Sequence, residues 1–211
     1  MINLTYLGHA SFKIDSDDGS IIIDPYQNGS VPGLKFPLGQ ECNFLFVSHE
    51  HHDHNARDLV SVKNGRTLSY IEHMAPHDGK NGIERGLTKF FVFFIEGKKI
   101  AHLGDMYDIS IQKNLEYLKG MDVILCPING FYTMGVEEAK KLIEICKPKL
   151  FIPMHYYSAK HNSGYDDNGQ LQKFLEYFPK TLKVNETTIC VDEYISKCKT
   201  LVFENSLGAI D

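Results

Sequence analysis

A cluster of histidines and carboxylates directly follows the short apolar run Phe44–Val47. Its residues are His49, His51, Asp53 and His54, in the pattern His-x-His-x-Asp-His. The apolar run predicts a buried strand, and side chains two residues apart on an extended chain point to the same side. His49 and His51 therefore face together, and a turn would bring Asp53 and His54 to a second position nearby. This combination predicts two adjacent metal half-sites that suit zinc, manganese or iron.

A half-site of this kind must take its remaining ligands from elsewhere in the chain, and three further residues are candidates. They are His77, Asp105 and His155. Asp105 follows the predicted strand Ile100–Leu103, and Gly104 allows a close backbone approach there. His155 follows the predicted strand Leu150–Ile152. His73, four residues before His77, competes with it for the same role.

The elements around these residues predict a strand-rich first half and a mixed second half. Alternating apolar residues predict a hairpin around Asp17–Gly19, and the loop Pro25–Gly39 is long enough to suggest a functional role. Apolar periodicity predicts a helix over 136–146 and shorter helices over about 109–118 and 169–178. Two sheets packed face to face with helices outside, an α/β/β/α four-layer sandwich, is the expected fold.

Composition argues against binding to nucleic acid and against insertion into a membrane. The chain has 211 residues, 43% of them hydrophobic, and a net charge of −5, so it offers no overall basic surface for nucleic acid or anionic membranes. Its apolar runs are too short to span a bilayer, and its start alternates like a strand rather than like a signal peptide. The five cysteines are odd in number and form no Cys-x-x-Cys pair, which indicates free thiols and a cytoplasmic location.

The order of these motifs resembles the metallo-β-lactamase superfamily over nearly the whole chain. Further matching segments are Gly8-His9-Ala10, Asp24-Pro25, His77-Asp78 with Gly82 and Arg85-Gly86, His102-Leu103-Gly104-Asp105 and Pro153-Met154-His155-Tyr156. They look like one branch, which contains ascorbate-6-phosphate lactonase-like proteins and uncharacterised metal-dependent hydrolases.

The resemblance implies a metallo-β-lactamase fold, with residues 1–211 as one domain and a site for two divalent ions. His49, His51 and His77 would hold one ion, Asp53, His54 and His155 the other, and Asp105 would bridge them. It also suggests roles behind the ligands or in the substrate pocket for His9, Asp24, Arg85 and Tyr156. The segments 106–108 and 128–130 depart from the branch, so we expect them, with the loop Pro25–Gly39, to govern the choice of substrate.

The predicted activity is hydrolysis of a small-molecule ester, lactone or phosphoester. Two divalent ions, most simply zinc, lower the pKa of a shared water toward ~7 and so provide hydroxide. Asp53, Asp105 and His155 are the predicted catalytic residues, with Asp53 orienting the hydroxide or carrying its proton. Three alternatives stay open: a phosphodiesterase for nucleotides or lipids, a non-haem di-iron redox protein, and a metal-binding protein without turnover. In the di-iron redox proteins of the superfamily, the pattern has glutamate at the position of the second histidine. This chain has His51 there, which favours hydrolysis over redox chemistry.

Overall fold

The computed structural model describes residues 1–108, 112–165 and 169–210, which form two five-stranded sheets with smaller elements around them. In chain order the strands are β1 (Asn3–Gly8), β2 (Ser11–Ser16), β3 (Gly19–Ile23), β4 (Gln40–Cys42), β5 (Phe44–Phe46), β6 (Val60–Val62), β7 (Ser69–Pro76), β8 (Leu87–Ile95), β9 (Lys98–His102), β10 (Val123–Pro127), β11 (Leu150–Met154), β12 (Leu182–Val184), β13 (Thr188–Cys190) and β14 (Leu201–Phe203). The helices are α1 (Gln112–Leu118), α2 (Val136–Cys146), α3 (Gln170–Tyr177) and α4 (Val191–Lys197), with a 3₁₀ turn at Arg57–Leu59.

Strand direction brings many strand ends together. The first sheet has the order β13-β1-β2-β3-β5, in which only β3 and β5 pair in parallel. The second has the order β11-β10-β9-β8-β7, in which β9, β10 and β11 are parallel. Consequently β1, β3 and β5 run in one direction in the first sheet, and β7, β9, β10 and β11 run in one direction in the second. Their carboxyl ends gather at one edge of each sheet.

The two sheets are held together by apolar side chains that alternate along the strands. Phe12, Ile14 and Ile23 of the first sheet pack with Phe93 and Leu125 of the second in one buried cluster. Burying such side chains stabilises the fold by roughly 1.5–3 kcal/mol each. This packing sets the spacing of the two sheets, and with it the distance between the strand ends of one sheet and those of the other.

The outer faces are covered differently. The second sheet packs under α1, α2 and α3 through a cluster that includes Phe90, Ile124, Leu142 and Phe174. The first sheet is covered largely by the loop Pro25–Gly39, whose apolar side chains Tyr26, Val31, Leu34 and Phe36 are buried against Leu7 and Ile22. Most of this loop therefore has a packing role, in contrast to the functional role expected from its length.

Several sequence predictions are confirmed and others fell short. The hairpin at Asp17–Gly19 and helix α2 have the predicted positions, while α1 begins at Gln112 and residues 109–111 lie outside the described part. Strand β7 and helix α4 were not predicted. β7 is an edge strand with mostly exposed or half-buried side chains, so it lacks a clear apolar pattern. No helix among the described residues is both long and apolar enough to cross a membrane.

Candidate metal centre

The predicted ligands, and the predicted supporting residues His9 and Asp24, follow the gathered strand ends. His9 follows β1, Asp24 follows β3, the run 48–54 follows β5, His77 follows β7, Asp105 follows β9 and His155 follows β11. His9, Asp24 and His155 adopt left-handed backbone conformations, with φ of 58°, 49° and 55°. This conformation is unfavourable for residues with side chains and persists where the surrounding structure fixes it, often at functional sites.

One group of side chains that could hold a metal ion consists of His49, His51 and His77. One nitrogen of each lies within 4.8 Å of the other two. The Nδ1–H of His77 donates to the carbonyl of Tyr132 at 3.0 Å, which leaves Nε2 of His77 as the unprotonated nitrogen facing the group. Nε2 of His77 lies 3.2 Å from Nδ1 of His51. These two nitrogens are thus separated by the distance expected of two ligands of one ion.

The tautomer of His49 follows from Ser48 and Asp24. The Ser48 hydroxyl uses its only proton to donate to Oδ2 of Asp24 at 2.7 Å. Nδ1 of His49, 2.9 Å from the same hydroxyl oxygen, must therefore be the donor to it. Nε2 of His49 is left as an unprotonated, buried nitrogen without a hydrogen-bond partner among the described residues. Buried polar atoms are rarely left unpartnered, so this nitrogen fits a metal ligand.

A second group consists of His9, Asp53, His54 and His155, again with ligand atoms within 4.8 Å of one another. Within it, Nε2 of His9 lies 3.2 Å from Oδ2 of Asp53. Because a carboxylate only accepts, Nε2 of His9 is the donor, so this nitrogen is occupied in orienting Asp53. The arrangement favours Asp53, His54 and His155 as ligands, with His9 behind them.

Asp105 lies between the two groups. Its Oδ2 is 3.4 Å from Nε2 of His77 and 3.8 Å from Nε2 of His49 on one side. On the other side it is 3.2 Å from Nε2 of His54 and 3.3 Å from Nε2 of His155. Ligands about 2.1 Å from a tetrahedral ion lie roughly 3.4 Å apart, so these separations fit a shared carboxylate.

The backbone beside Asp105 explains the glycine before it. Gly104 has a φ of 52°, and a Cβ there would lie 2.6 Å from both the Lys89 carbonyl and the Thr88 hydroxyl oxygen. The Asp105 amide donates to that Thr88 hydroxyl at 3.2 Å. A side chain at position 104 would therefore displace the strand end that holds Asp105.

Asp24 connects the two groups from behind. Its fully buried carboxylate accepts the Ser48 amide at 2.6 Å and the Ser48 hydroxyl at 2.7 Å. It also accepts Nδ1–H of His54 at 2.9 Å. Asp24 thus orients His54 directly and His49 through Ser48. Carboxylates that hold metal-binding histidines in this way fix the ring tautomer and raise ligand affinity.

The charges of the two groups differ. Burial lowers the pKa of His49 to about 3 and lowers the pKa values of His51 and His77, so these rings are neutral at pH 7. Burial opposes the charged form of His54 too, but the carboxylates of Asp105, Asp53 and Asp24 raise its pKa well above the usual range. Without a metal, therefore, His54 carries a proton at neutral pH, unlike the three rings of the first group.

This difference predicts separate pH dependences for the two metals. The group of His49, His51 and His77 should bind a metal without releasing a proton at pH 7, whereas binding at His54 must displace one. We expect the affinity of the His54 group to fall about tenfold per pH unit below the raised pKa. One metal should then remain at pH 5 while the other is lost. Metal analysis after equilibration from pH 8 to pH 5, with calorimetric counting of released protons, measures this; simultaneous loss of both metals would contradict it.

A cavity of about 610 Å³ opens onto both groups. Its floor includes His51, Asp53, His77, Asp105 and His155, and its walls include Ser30, Arg85, Asn129, Phe131, Tyr132 and Tyr165. Tyr165 was not singled out from the sequence, yet its hydroxyl lies 3.0 Å from Oδ2 of Asp53 and 3.0 Å from the Ser30 carbonyl. Its position in a polar loop carried no local signal of this contact.

Some predicted residues lie away from the cavity. Tyr156 is buried, and its hydroxyl donates to the Phe203 carbonyl at 2.7 Å, so it supports the core behind the site instead of lining the pocket. His73 stacks on Tyr117 with ring centroids 3.7 Å apart, and it is His77 that joins a ligand group. Within the loop Pro25–Gly39, Ser30 alone is among the cavity-lining residues that the structure describes.

Comparison with known proteins identifies the family of this chain. The family model described as "Beta-lactamase superfamily domain" matches residues 3–155. The chain belongs to this superfamily. A UPF0173 metal-dependent hydrolase of Thermococcus onnurineus is 30% identical, over 74% of this chain and 85% of its own length. A UPF0173 metal-dependent hydrolase of Thermofilum pendens is 27% identical, over 92% of this chain and 99% of its own.

A solved structure extends the likeness of this β-lactamase superfamily chain to three dimensions. A candidate zinc-dependent hydrolase of the metallo-β-lactamase superfamily from Thermotoga maritima superposes with a TM-score of 0.72 at 25% identity. The superposition covers 96% of this chain and 98% of the other. The predicted metallo-β-lactamase fold is confirmed. The residues matched by the superfamily model include His9 to His155, while Tyr165 lies beyond them.

Proposed function

We propose that this β-lactamase superfamily member is a metal-dependent hydrolase that uses two divalent ions on a small ester, lactone or phosphoester. The observation that carries the proposal is the position of Asp105, whose Oδ2 lies 3.2–3.8 Å from imidazole nitrogens of both ligand groups. His49, His51 and His77 would hold one ion, and Asp53, His54 and His155 the other. Zinc is the proposed metal, although manganese and iron accept the same ligands.

The bound ions would supply Lewis acidity and a water acidic enough to be deprotonated near pH 7. The chain itself would supply the proton acceptor. Burial disfavours a charged Asp53, but His54 and His9 lower its pKa, so the carboxylate is ionised at neutral pH. The pKa of His9, lowered to about 4 by burial and by His155, leaves that ring neutral and able to donate only from the nitrogen facing Asp53. Asp53 is thus held in position to take a proton at the cavity floor.

The proposal is tested by metal analysis and an activity screen on the same preparation. Protein stripped with a chelator is reloaded with two equivalents of zinc, manganese or iron and assayed on esters, lactones, thioesters and phosphodiesters. Hydrolysis that requires close to two metals per chain is the expected result. Absence of turnover across the panel would favour a binding protein, and oxygen consumption by the iron form with a reductant would favour redox chemistry. Preference for phosphodiesters would select the nucleotide or lipid alternative.

Tyr165 provides a second test, because its hydroxyl contacts Asp53 without belonging to either ligand group. Burial and the charge of Asp53 raise the pKa of Tyr165, so the phenol stays protonated and donates to the carboxylate. Tyr165→Phe should lower kcat about tenfold while metal content stays the same. Tyr157→Phe is the matched control, since the Tyr157 hydroxyl instead donates to Asn162 at 2.6 Å. Equal kcat for both variants and the wild type would remove Tyr165 from the mechanism.

We further propose that residues 1–211 act as one domain on a small molecule in the cytoplasm. The size of the cavity supports a small-molecule substrate. All five cysteines are free, as expected in a reducing compartment.

A further inference from the structure

Arg85 is held at the cavity wall by a rigid loop. The carboxylate of Asp78 accepts four backbone N–H groups, those of Lys80, Gly82, Glu84 and Arg85, at 2.7–2.9 Å. A carboxylate with four short bonds to the backbone fixes the loop around it. Because both Asp78 oxygens accept two amides each, this carboxylate is committed to the backbone beside Arg85.

The guanidinium of Arg85 lies flat over an aromatic ring. Its Cζ is 3.2 Å from the centroid of the Tyr132 ring, in a cation–π contact. None of the ion pairs found within the described ranges includes Arg85, and the exposed Glu50 carboxylate on the cavity wall pairs bidentately with Arg57. The stacking fixes the plane of the guanidinium but leaves its N–H edges without an anionic partner among the residues that the structure describes.

The charge of the cavity favours an anion beside Arg85. If the two divalent ions of the proposed function are bound, the carboxylates of Asp53, Asp105 and Asp24 offset three of their four charges, and the histidine ligands are neutral. Arg85 then adds a further positive charge to the same cavity. A cleft of one sign concentrates ligands of the opposite sign. Arginine held in a fixed plane suits carboxylate and phosphate oxygens, which it binds through two parallel hydrogen bonds.

We propose that Arg85 recognises an anionic oxygen group of the substrate, a carboxylate or a phosphate, distinct from the bond that is hydrolysed. This inference rests on the proposed function. The anionic group contacts the guanidinium edge above Tyr132, while the reacting bond lies toward Asp105. Tyr132 is a positioning residue, because it acts by holding the plane of Arg85.

The first test measures binding, which does not depend on turnover. Succinate and inorganic phosphate are titrated separately into the metal-loaded protein by calorimetry. Arg85→Met keeps an unbranched side chain and removes the charge. It should weaken the binding of the anion that the site accepts by about 10- to 100-fold. Arg85→Lys should recover only part of the affinity, because it keeps the charge and loses the planar fork. The anion whose binding depends on Arg85 shows whether the site recognises a carboxylate or a phosphate.

The matched control is Arg66→Met, since Arg66 is an exposed arginine that contacts the Asp17 carbonyl away from the cavity. It should leave anion binding unchanged. Binding of both anions to Arg85→Met as tightly as to the wild type would overturn the proposal, and so would failure of the wild type to bind either.

The second test uses matched esters of one leaving group. 4-Nitrophenyl butyrate is neutral, whereas mono-4-nitrophenyl succinate and 4-nitrophenyl 3-phosphonopropionate carry an anionic group. Arg85→Met should lower kcat/KM about 10- to 100-fold for the preferred anionic ester and less than about 3-fold for the neutral one. Equal losses on all three esters would show a structural role and overturn the proposal. If neither these esters nor the panel of the proposed function are turned over while anion binding still requires Arg85, the proposed function falls and the anion site stands.

Discussion

Asp105→Asn is expected to lower kcat/KM by about 10³-fold, or ~4 kcal/mol of transition-state stabilisation. The same substitution should lower the metal content from two toward one per chain. The reason is that Asp105 Oδ2 lies 3.2–3.8 Å from four imidazole nitrogens, and a neutral amide cannot offset the charge of two ions. Elemental analysis after gel filtration and steady-state kinetics on the same sample measure both effects.

Asp122→Asn is the matched control for loss of a buried carboxylate. Asp122 begins the turn into β10, accepts the Lys99 amide at 2.8 Å and pairs with Lys149 at 2.7 Å, away from the metal centre. This variant should lose some stability and keep its metals and its activity. If Asp105→Asn kept two metals and the wild-type rate, the bridging role would be wrong.

Asp24→Asn is expected to have the second-largest effect, on stability and metal affinity together. In either orientation the new amide would turn its NH2 group toward donors, either the Ser48 hydroxyl together with Nδ1–H of His54 or the Ser48 backbone N–H. Leaving buried groups mispaired should lower the free energy of unfolding by about 3 kcal/mol. Loss of the orienting carboxylate should weaken metal binding at His54 about 10- to 100-fold.

Ser48→Ala separates the two arms of this network. It removes the link from Asp24 to His49 but leaves the direct contact between Asp24 and His54. We expect a loss of about 1 kcal/mol in stability, with weaker metal binding at the His49 group only. Denaturant unfolding measures the stability of both variants, and competition with a metal-binding dye measures their metal affinity.

Unchanged metal affinity in a folded Asp24→Asn protein would contradict the orienting role and leave Asp24 a purely structural residue.

Most of the candidate ligands could be found from the sequence because their positions depend on local rules. His49 and His51 lie two residues apart just after β5 and join one ligand group, and Asp105 and His155 follow apolar runs that form buried strands. Parallel strands present their ends at one sheet edge, so a polar residue after each strand is a candidate ligand before any contact is known. Helix α2 was equally local, since its apolar residues repeat with the helical period.

Contacts between distant segments were decided only by the tertiary structure. Tyr165 reaches Asp53 across 112 residues, and no spacing rule connects a polar loop to a strand end at that separation. Tyr156 follows His155 directly, yet its hydroxyl donates to the carbonyl of Phe203 in β14, 47 residues away in the chain. The family resemblance already suggested a supporting or pocket role for Arg85, but its contact with the Tyr132 ring was decided by the fold.

The sequence by itself determined the chemistry of the site, because metal ligation needs particular side chains at strand ends and both can be read locally. The tertiary structure decided which groups surround that chemistry. The loop Pro25–Gly39 was expected to select the substrate, but its apolar residues cover the first sheet. Cavity walls are built from loops of both sheets, and their positions depend on how the sheets pack rather than on any one segment.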